Sequence, residues 1–167
     1  MNNHPETNSA ADHLVWSLDS GYAHDSFEQV TSRFDANTAR QTHPGHPHTA
    51  WQLIDHLTIC LRDLIDYVCH PDHCSPNFPD GLWNQPPDVL TSADWSDMRA
   101  DYLTVRKELG RAVKERAAAG SLFDAVAFVS PTTWSRQILI AMDHQSYHLG
   151  QLASLAYAID GPTIDHS

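Results

Sequence analysis

The clearest pattern of apolar and polar positions lies between residues 49 and 69. Apolar side chains recur there at intervals of three and four, the spacing of a helix with one side against a core. They are Leu53, Ile54, Leu57, Leu61, Leu64, Ile65 and Val68. Thr49 or His48 suits the N-cap, and Pro71 ends the helix because proline has no amide donor. We therefore predict a helix over residues 49–69.

A first helix is predicted nearer the start of the chain, after a disordered lead over residues 1–8. It covers about residues 9–19, is interrupted at Gly21 and resumes over about residues 25–34. The resumed part carries Phe27, Val30 and Phe34 on one face, so it also packs on a core.

Two more helices are predicted in the second half of the chain. The third covers about residues 92–119 and begins with a capping arrangement at Thr91. The fourth starts near 131–133, where proline suits a first turn, and ends at Gly161-Pro162. The apolar connector over 122–129 fits either an extended or a helical conformation. We find no strand-like alternation of useful length.

Four helices without the signature of a parallel sheet predict an all-α fold, an antiparallel four-helix bundle. We expect a single domain over residues 9–160 and a short tail over 161–167. The loop between helices 2 and 3, residues 71–90, is long and rich in proline, and it carries Phe78, Leu82 and Trp83. A loop of this length is usually functional or tightly packed over something.

Composition narrows the function classes. The chain has 167 residues, 10 Lys+Arg against 21 Asp+Glu, and a net charge of -11. An acidic surface repels phosphate backbones and anionic lipids, so we expect no nucleic-acid partner and no membrane partner. The first residues have neither a basic nor an apolar signal region, so a soluble cytoplasmic protein is expected. Three cysteines, an odd number, are interpreted as reduced thiols.

Two histidines carry the strongest chemical signal. His144 and His148 lie four residues apart in the middle of the fourth predicted helix, so they share one face. That helix is apolar nearly all round, yet Gln137, His144, His148 and Gln151 form one polar stripe along it. A buried polar stripe costs free energy unless its members are paired or bound to something. The stripe indicates a metal site, although such a pair also arises by chance on helices.

A third ligand should come from a facing helix, and His56 lies at the edge of the apolar stripe of helix 2. Three neutral imidazoles leave a tetrahedral ion one open position, as in catalytic zinc sites. The alternative is that His56 is a core histidine with an ordinary hydrogen bond.

Two segments resemble a known family. Residues 143–152, DHQSYHLGQL, look like the metal-binding helix of the DinB/YfiT-like superfamily, and residues 50–63, AWQLIDHLTICLRD, are similar to its second helix. Residues 23–30 and the loop over 77–86 resemble one branch of uncharacterised bacterial members. The resemblance extends over about residues 14–158.

This resemblance implies a four-helix bundle whose ligands, carried over by position, are His56, His144 and His148. It also implies one zinc, nickel or similar divalent ion, and frequent homodimers. Characterised relatives include enzymes that transfer low-molecular-weight thiols and a thiol-dependent isomerase. The sequence itself identifies no pocket for a thiol co-substrate.

Other residues are weaker candidates for the site. His24 fits a base or a fourth ligand, but also a simple neighbour of a helix cap. Asp63 and Asp143 suit acceptors for the second N–H of a ligand imidazole, or plain surface carboxylates. Tyr147 suits a hydrogen bond to substrate, or packing. Gln137 and Gln151 complete the predicted outer shell.

The cysteines are weaker still. The segment CHPDHC over residues 69–74 contains metal-binding residue types, but its spacing is not that of a standard zinc site, and free thiols in a loop are the simpler interpretation. Cys60 follows His56 by one turn and is interpreted as a buried structural thiol rather than a nucleophile.

The sequence therefore leads to two function hypotheses. One is a metal-dependent enzyme, a thiol S-transferase or a hydrolase, acting on a small molecule. The other is a metal-binding protein without catalysis, linked to stress responses. A bundle with an empty histidine cluster is a third possibility.

Overall fold

The computed structural model describes residues 9–20 and 23–160, and most of these are helical. The α-helices within this part are α1 (Ala10–Ser20), α2 (Phe27–Thr31), α3 (Ala50–Cys69), α4 (Ser92–Ala118) and α5 (Trp134–Asp160). Two short strands, β1 (Ala125–Val126) and β2 (Val129–Thr133), and two 3-10 turns, Thr38–Arg40 and Asp80–Leu82, complete the elements. The mostly helical content confirms the predicted all-α class.

Side chains at the predicted positions begin two of the long helices. The Thr49 hydroxyl accepts from the backbone N–H of Gln52, whose side chain accepts from the Thr49 N–H in return. Thr91 and Asp94 form the same reciprocal arrangement at the start of α4. Each pair satisfies two amide donors that a helix start otherwise leaves unpaired. Thr49, not His48, is therefore the cap of α3.

A glycine ends α4. Gly120 has φ of +70°, a backbone conformation that costs glycine little because it has no Cβ. The N–H of the next residue, Ser121, bonds to the carbonyl oxygen of Arg116 at 2.9 Å. This is the bond pattern of a Schellman motif, and it turns the chain away from the helix axis.

The apolar connector between α4 and α5 forms turns and a short hairpin. β1 and β2 pair antiparallel, with Ala125 opposite Thr133 and Val126 opposite Val129. Helix α5 therefore begins at Trp134, slightly later than predicted, because Pro131 belongs to β2. The hydroxyl of Thr133 accepts from the backbone N–H of Arg136 and supplies the cap.

The long helices enclose one apolar core. α3 packs against α4 and α5, α1 packs against the same two helices, and α4 also contacts α5. Fully buried core side chains include Leu18, Phe27, Ile54, Leu57, Tyr102, Leu109, Ile138, Leu149 and Leu152. In the part of the chain that is described, no helix combines the length and apolarity needed to cross a membrane.

Some sequence predictions fall outside the described residues. These are the disordered lead over 1–8, the interruption at Gly21, the helix end at Gly161-Pro162 and the tail over 161–167. The resumed part of the first helix is described, and it is shorter than predicted: α2 ends at Thr31 and passes into turns.

Candidate metal centre

Three imidazoles meet where α3 packs against α5. Nε2 of His144 lies 3.0 Å from Nε2 of His56 and 3.0 Å from Nε2 of His148. The two rings on α5 are 4.5 Å apart, because residues four apart lie one turn above each other. His56 and His148 are only 6% and 5% exposed, so water satisfies little of their polar surface. The structure brings together all three histidines singled out in the sequence.

Hydrogen bonds fix the protonation of two of these rings. Nδ1 of His56 lies 3.0 Å from the carbonyl oxygen of Leu82, and Nδ1 of His148 lies 2.7 Å from Oε1 of Gln151. Both partners are acceptors, so each Nδ1 must carry the proton. A neutral imidazole protonated at Nδ1 has a lone pair on Nε2. Two lone pairs are therefore directed at His144.

Burial keeps all three rings neutral at ordinary pH. Burial is the largest cause that lowers the pKa of His56 and of His148. It lowers the pKa of His144 to about 4, with the neighbouring His148 and His56 adding to the effect. Neutral imidazoles with converging lone pairs are the donors that zinc, nickel and similar ions prefer. The residues present therefore fit a divalent transition metal.

An aromatic stack covers one side of the centre. The indole of Trp83 lies parallel to the His56 ring at a centroid distance of 3.9 Å, and His48 lies parallel to the other face of the indole at 3.7 Å. Trp83 belongs to the long loop, which thus packs directly over a candidate ligand. Phe78 in the same loop is 86% exposed, so only part of the loop packs in this way.

Cys60 is a donor that the sequence interpretation did not place in the site. Donor atoms of His56, Cys60 and His144 all lie within 4.8 Å of one another, so these residues form a group that could hold a metal ion. Sγ lies 3.6 Å from Nδ1 and 3.7 Å from Nε2 of His56. Burial, with a smaller effect of the Asp63 charge, raises the pKa of this half-buried thiol to about 12. Its position one turn after His56 was the available signal.

The family model of the DinB superfamily matches residues 21–152. The chain belongs to the DinB superfamily. The resemblance drawn from residues 50–63 and 143–152 is thereby confirmed, since both segments lie within the matched range. No protein of curated function and no solved structure matches the chain significantly.

The three glutamines of α5 in this DinB-superfamily chain have different partners. Gln151 contacts His148 directly, since its Oε1 lies 2.7 Å from Nδ1. Gln137 is fully buried and donates to the carbonyl oxygen of Leu64 on α3, so it joins two helices instead of supporting a ligand. Gln145, which the sequence interpretation passed over, is also buried and accepts from the Tyr102 hydroxyl at 2.6 Å. The buried glutamines of α5 therefore bond to different helices, Gln137 to α3 and Gln145 to α4.

The predicted carboxylates lie away from the nitrogens of the three histidines. Asp63 pairs with Nε2 of His73 at 2.7 Å and so ties the start of the long loop to α3. Asp143 is exposed and lines a groove beside His144. Neither residue is hydrogen-bonded to one of the three histidines in the structure.

Of the weaker candidates His24 and Tyr147, only Tyr147 contacts one of the three histidines. His24 is exposed and contacts the Ser146 hydroxyl at 3.1 Å, on a different side of α5 from the histidine pair. Tyr147 is 63% exposed, packs edge-on against His148 and accepts from Gln151 at 3.3 Å. Tyr147 is therefore the nearer of the two candidates for a contact with substrate.

The CHPDHC segment, residues 69–74, does not form a second metal site in the described part of the chain. Cys69 and Cys74 are exposed free thiols, and His73 is engaged with Asp63. Over residues 9–20 and 23–160, the segment contributes no second group of three converging donors.

A cavity opens beside the centre. Its volume is about 340 Å³, within the range of small-molecule sites. Its walls come from the loop before α3, from one residue of α3 and from α5, and they are Gly45, His46, Pro47, His48, Leu53, Tyr147, Gly150, Gln151 and Ser154. Tyr147 and Gln151 both contact His148 and both line the cavity, so a molecule bound there would lie next to a candidate ligand.

Proposed function

We propose that this DinB-superfamily protein binds one divalent transition-metal ion, zinc or nickel, through Nε2 of His56, His144 and His148. The observation that carries the proposal is the pair of lone pairs, on His56 and His148, that are both directed at Nε2 of His144 from 3.0 Å. Without an ion, Nε2 of His144 can carry only one proton, and that proton cannot form a full hydrogen bond to both acceptors. An ion accepts all three lone pairs at once.

The spacing of the nitrogens supports this assignment. An ion with tetrahedral angles and metal–nitrogen distances of about 2.0–2.1 Å places its ligand nitrogens about 3.3 Å apart. The separations of 3.0 Å from Nε2 of His144 to Nε2 of His56 and of His148 are within a few tenths of an ångström of that value. Both separations from His144 are therefore compatible with one shared ion.

Two arguments favour His148 over Cys60 as the third ligand. Sγ of Cys60 is nearly equidistant from the two ring nitrogens of His56, which puts it over the ring and away from the lone-pair direction of Nε2. His148, in contrast, is held in the tautomer that a ligand needs by its bond to Gln151.

Metal analysis of the purified protein tests the ligand set. We expect close to one equivalent of zinc or nickel after dialysis against either ion, and loss of that equivalent in His56→Ala, His144→Ala and His148→Ala. His46→Ala is the matched control, because His46 lies in a neighbouring loop outside the cluster. Retention of the metal by His148→Ala together with its loss in Cys60→Ala would overturn the three-histidine assignment.

We further propose that the centre is catalytic, of thiol S-transferase or hydrolase type, with a small-molecule substrate and a low-molecular-weight thiol as the class of co-substrate. The supporting observation is the cavity of about 340 Å³ whose walls include Tyr147 and Gln151. A bound ion with an open position lowers the pKa of a coordinated water or thiol and polarises a carbonyl. Tyr147 would orient the substrate through its hydroxyl, and Gln151 would hold the His148 ring.

The second candidate is a metal-binding protein without catalysis. The His56–Cys60–His144 group favours it, because a thiol close to the ion can occupy the position that a catalytic site leaves open. Metal-dependent turnover of a thiol with an electrophile, lost in His148→Ala, supports the enzyme. Tight binding without turnover across transferase and hydrolase substrates supports the second candidate.

The family and the composition support three further proposals. We propose an antiparallel four-helix bundle, a homodimer and a cytoplasmic location. Sedimentation velocity tests the dimer, and a monomer at micromolar concentration would contradict it.

A further inference from the structure

Two neighbouring residues of the long loop hold the His56 ring. The carbonyl oxygen of Leu82 accepts from Nδ1 at 3.0 Å, and the Trp83 indole covers one ring face with the planes only 3° apart. The hydrogen bond determines which nitrogen carries the proton. By itself it leaves the ring free to tilt, because hydrogen bonds tolerate a broad range of angles. A parallel aromatic plane at 3.9 Å restricts that tilt.

Trp83 is itself held from the opposite side. His48 stacks on its outer face at 3.7 Å with the planes 7° apart. His48 directly precedes Thr49, the cap of α3, so its backbone is fixed by the start of that helix. The indole is thus enclosed between a residue before α3 and a residue on α3.

The loop also has anchors that do not involve these rings. The Asn84 side chain donates to Asp55 at 2.9 Å, and the Gln52 side chain donates to the carbonyl oxygen of Asn84 at 3.2 Å. Both partners lie on α3 within one turn of His56. These bonds fix Asn84 against α3. Trp83, the preceding residue, is thereby placed beside the His56 ring.

We propose that Trp83 is a positioning residue, which holds the His56 imidazole in the plane that directs Nε2 at His144. This inference rests on the proposed function, because it assumes that His56 is a ligand. It implies that ion binding and the packing of the loop at residues 82–84 are linked. Because such coupling is reciprocal, a stack that strengthens ion binding implies that a bound ion stabilises the packed loop by the same free energy.

Cobalt titration tests the role of the indole. We expect Trp83→Ala to bind Co²⁺ roughly 10–100-fold more weakly than the wild type, the usual loss when an outer partner of a metal ligand is removed. Trp83→Phe keeps a flat ring and should recover most of the affinity. Phe78→Ala removes an exposed aromatic from the same loop and should leave the affinity unchanged. The visible cobalt spectrum, which reports ligand geometry, should change in Trp83→Ala and return in Trp83→Phe.

Hydrogen exchange tests the linkage. Bound Co²⁺ should slow amide exchange at residues 82–84 in the wild type and have a smaller effect there in Trp83→Ala. Circular dichroism confirms that the variants are folded. If Trp83→Ala unfolds, Trp83→Leu, which keeps apolar bulk but has no flat face, replaces it.

The outcomes separate this inference from the proposed function. Failure of the wild type to bind Co²⁺ overturns both. Binding by the wild type and by Trp83→Ala (or Trp83→Leu) with equal affinity and an identical spectrum overturns the positioning role alone. Weaker binding in that variant with recovery in Trp83→Phe supports it.

Discussion

Nδ1 of His148 donates to Oε1 of Gln151 at 2.7 Å, so one turn of α5 contains both a candidate ligand and the group that sets its tautomer. The same glutamine donates to the Tyr147 hydroxyl, which fixes the orientation of its amide. The short sequence from Tyr147 to Gln151 therefore encodes a small hydrogen-bonded unit.

We predict that Gln151→Leu weakens metal binding. Leucine cannot accept from Nδ1, so the proton is free to move to Nε2 and block the lone pair. The expected loss of zinc affinity is roughly 10–100-fold by analogy with other outer-shell partners, measured by competition with a chromophoric chelator. Ser154→Ala, in the next turn and lining the same cavity, is the control and should bind like the wild type. Equal affinities for Gln151→Leu and the wild type would contradict the prediction.

Cys60→Ser tests whether the thiol is a ligand. Because Sγ lies over the His56 ring, we expect no thiolate-to-cobalt charge-transfer band in the near ultraviolet for the wild type. The affinity for Co²⁺ should be the same in Cys60→Ser. A band that is present in the wild type and absent from the variant would show that Cys60 binds the ion and would favour the non-catalytic candidate.

Acid should destabilise the metal-free protein over a defined range. The pKa of His144 falls from 6.5 in the unfolded chain to about 4 in the folded one, mainly through burial. Between these values the unfolded chain binds more protons, so the free energy of unfolding decreases as the pH falls from about 6.5 towards 4. Burial of His56 and His148 acts in the same direction.

Urea titrations in the presence of a chelator measure this dependence at pH 7, 6 and 5. The free energy of unfolding should decline across the series, and the decline should be shallower in His144→Gln, which has no titrating ring at that position. A wild-type free energy that stays constant between pH 7 and 5 would contradict the prediction.

Tyr102→Phe should affect stability but not the metal. The Tyr102 hydroxyl donates to Oε1 of buried Gln145, whose Nε2 donates to the carbonyl oxygen of Leu18. Removing the hydroxyl leaves a buried oxygen without a donor, at a cost of about 1–3 kcal/mol in the free energy of unfolding. Tyr147→Phe, at an exposed position, should change it by less than about 0.5 kcal/mol. Zinc affinity should be unchanged in Tyr102→Phe.

The sequence was sufficient to predict those parts of the fold that depend on residues close together along the chain. The apolar stripe of α3 and the caps at Thr49 and Thr91 depend on residues within a few positions of each other, and the structure has them as predicted. The hairpin before α5 was not predicted, because its short strands are too brief to show an alternating pattern. Its pairing depends on a turn and on contacts with the helices.

The candidate centre shows the same division. His144 and His148 were recognisable because their spacing and their apolar surroundings lie on one helix. His56 required the family resemblance, since nothing local relates it to a helix almost ninety residues away. Trp83 approaches His56 from a long irregular loop, and no periodicity predicts such a contact. Gln137 was placed on the predicted buried stripe, but its partner on α3 could not be predicted from the sequence.

The contacts of Leu82 and Trp83 with His56 come from the loop, whereas the core that carries His56 is built by helices. The geometry of one candidate ligand and the stability of the fold are therefore encoded in separate stretches of sequence. If His56 binds an ion as proposed, we expect substitutions in the loop to change the affinity for that ion while the helical core stays the same. For protein engineering, residues 82 and 83 of the loop are therefore the positions to vary, and the helices are the part to keep.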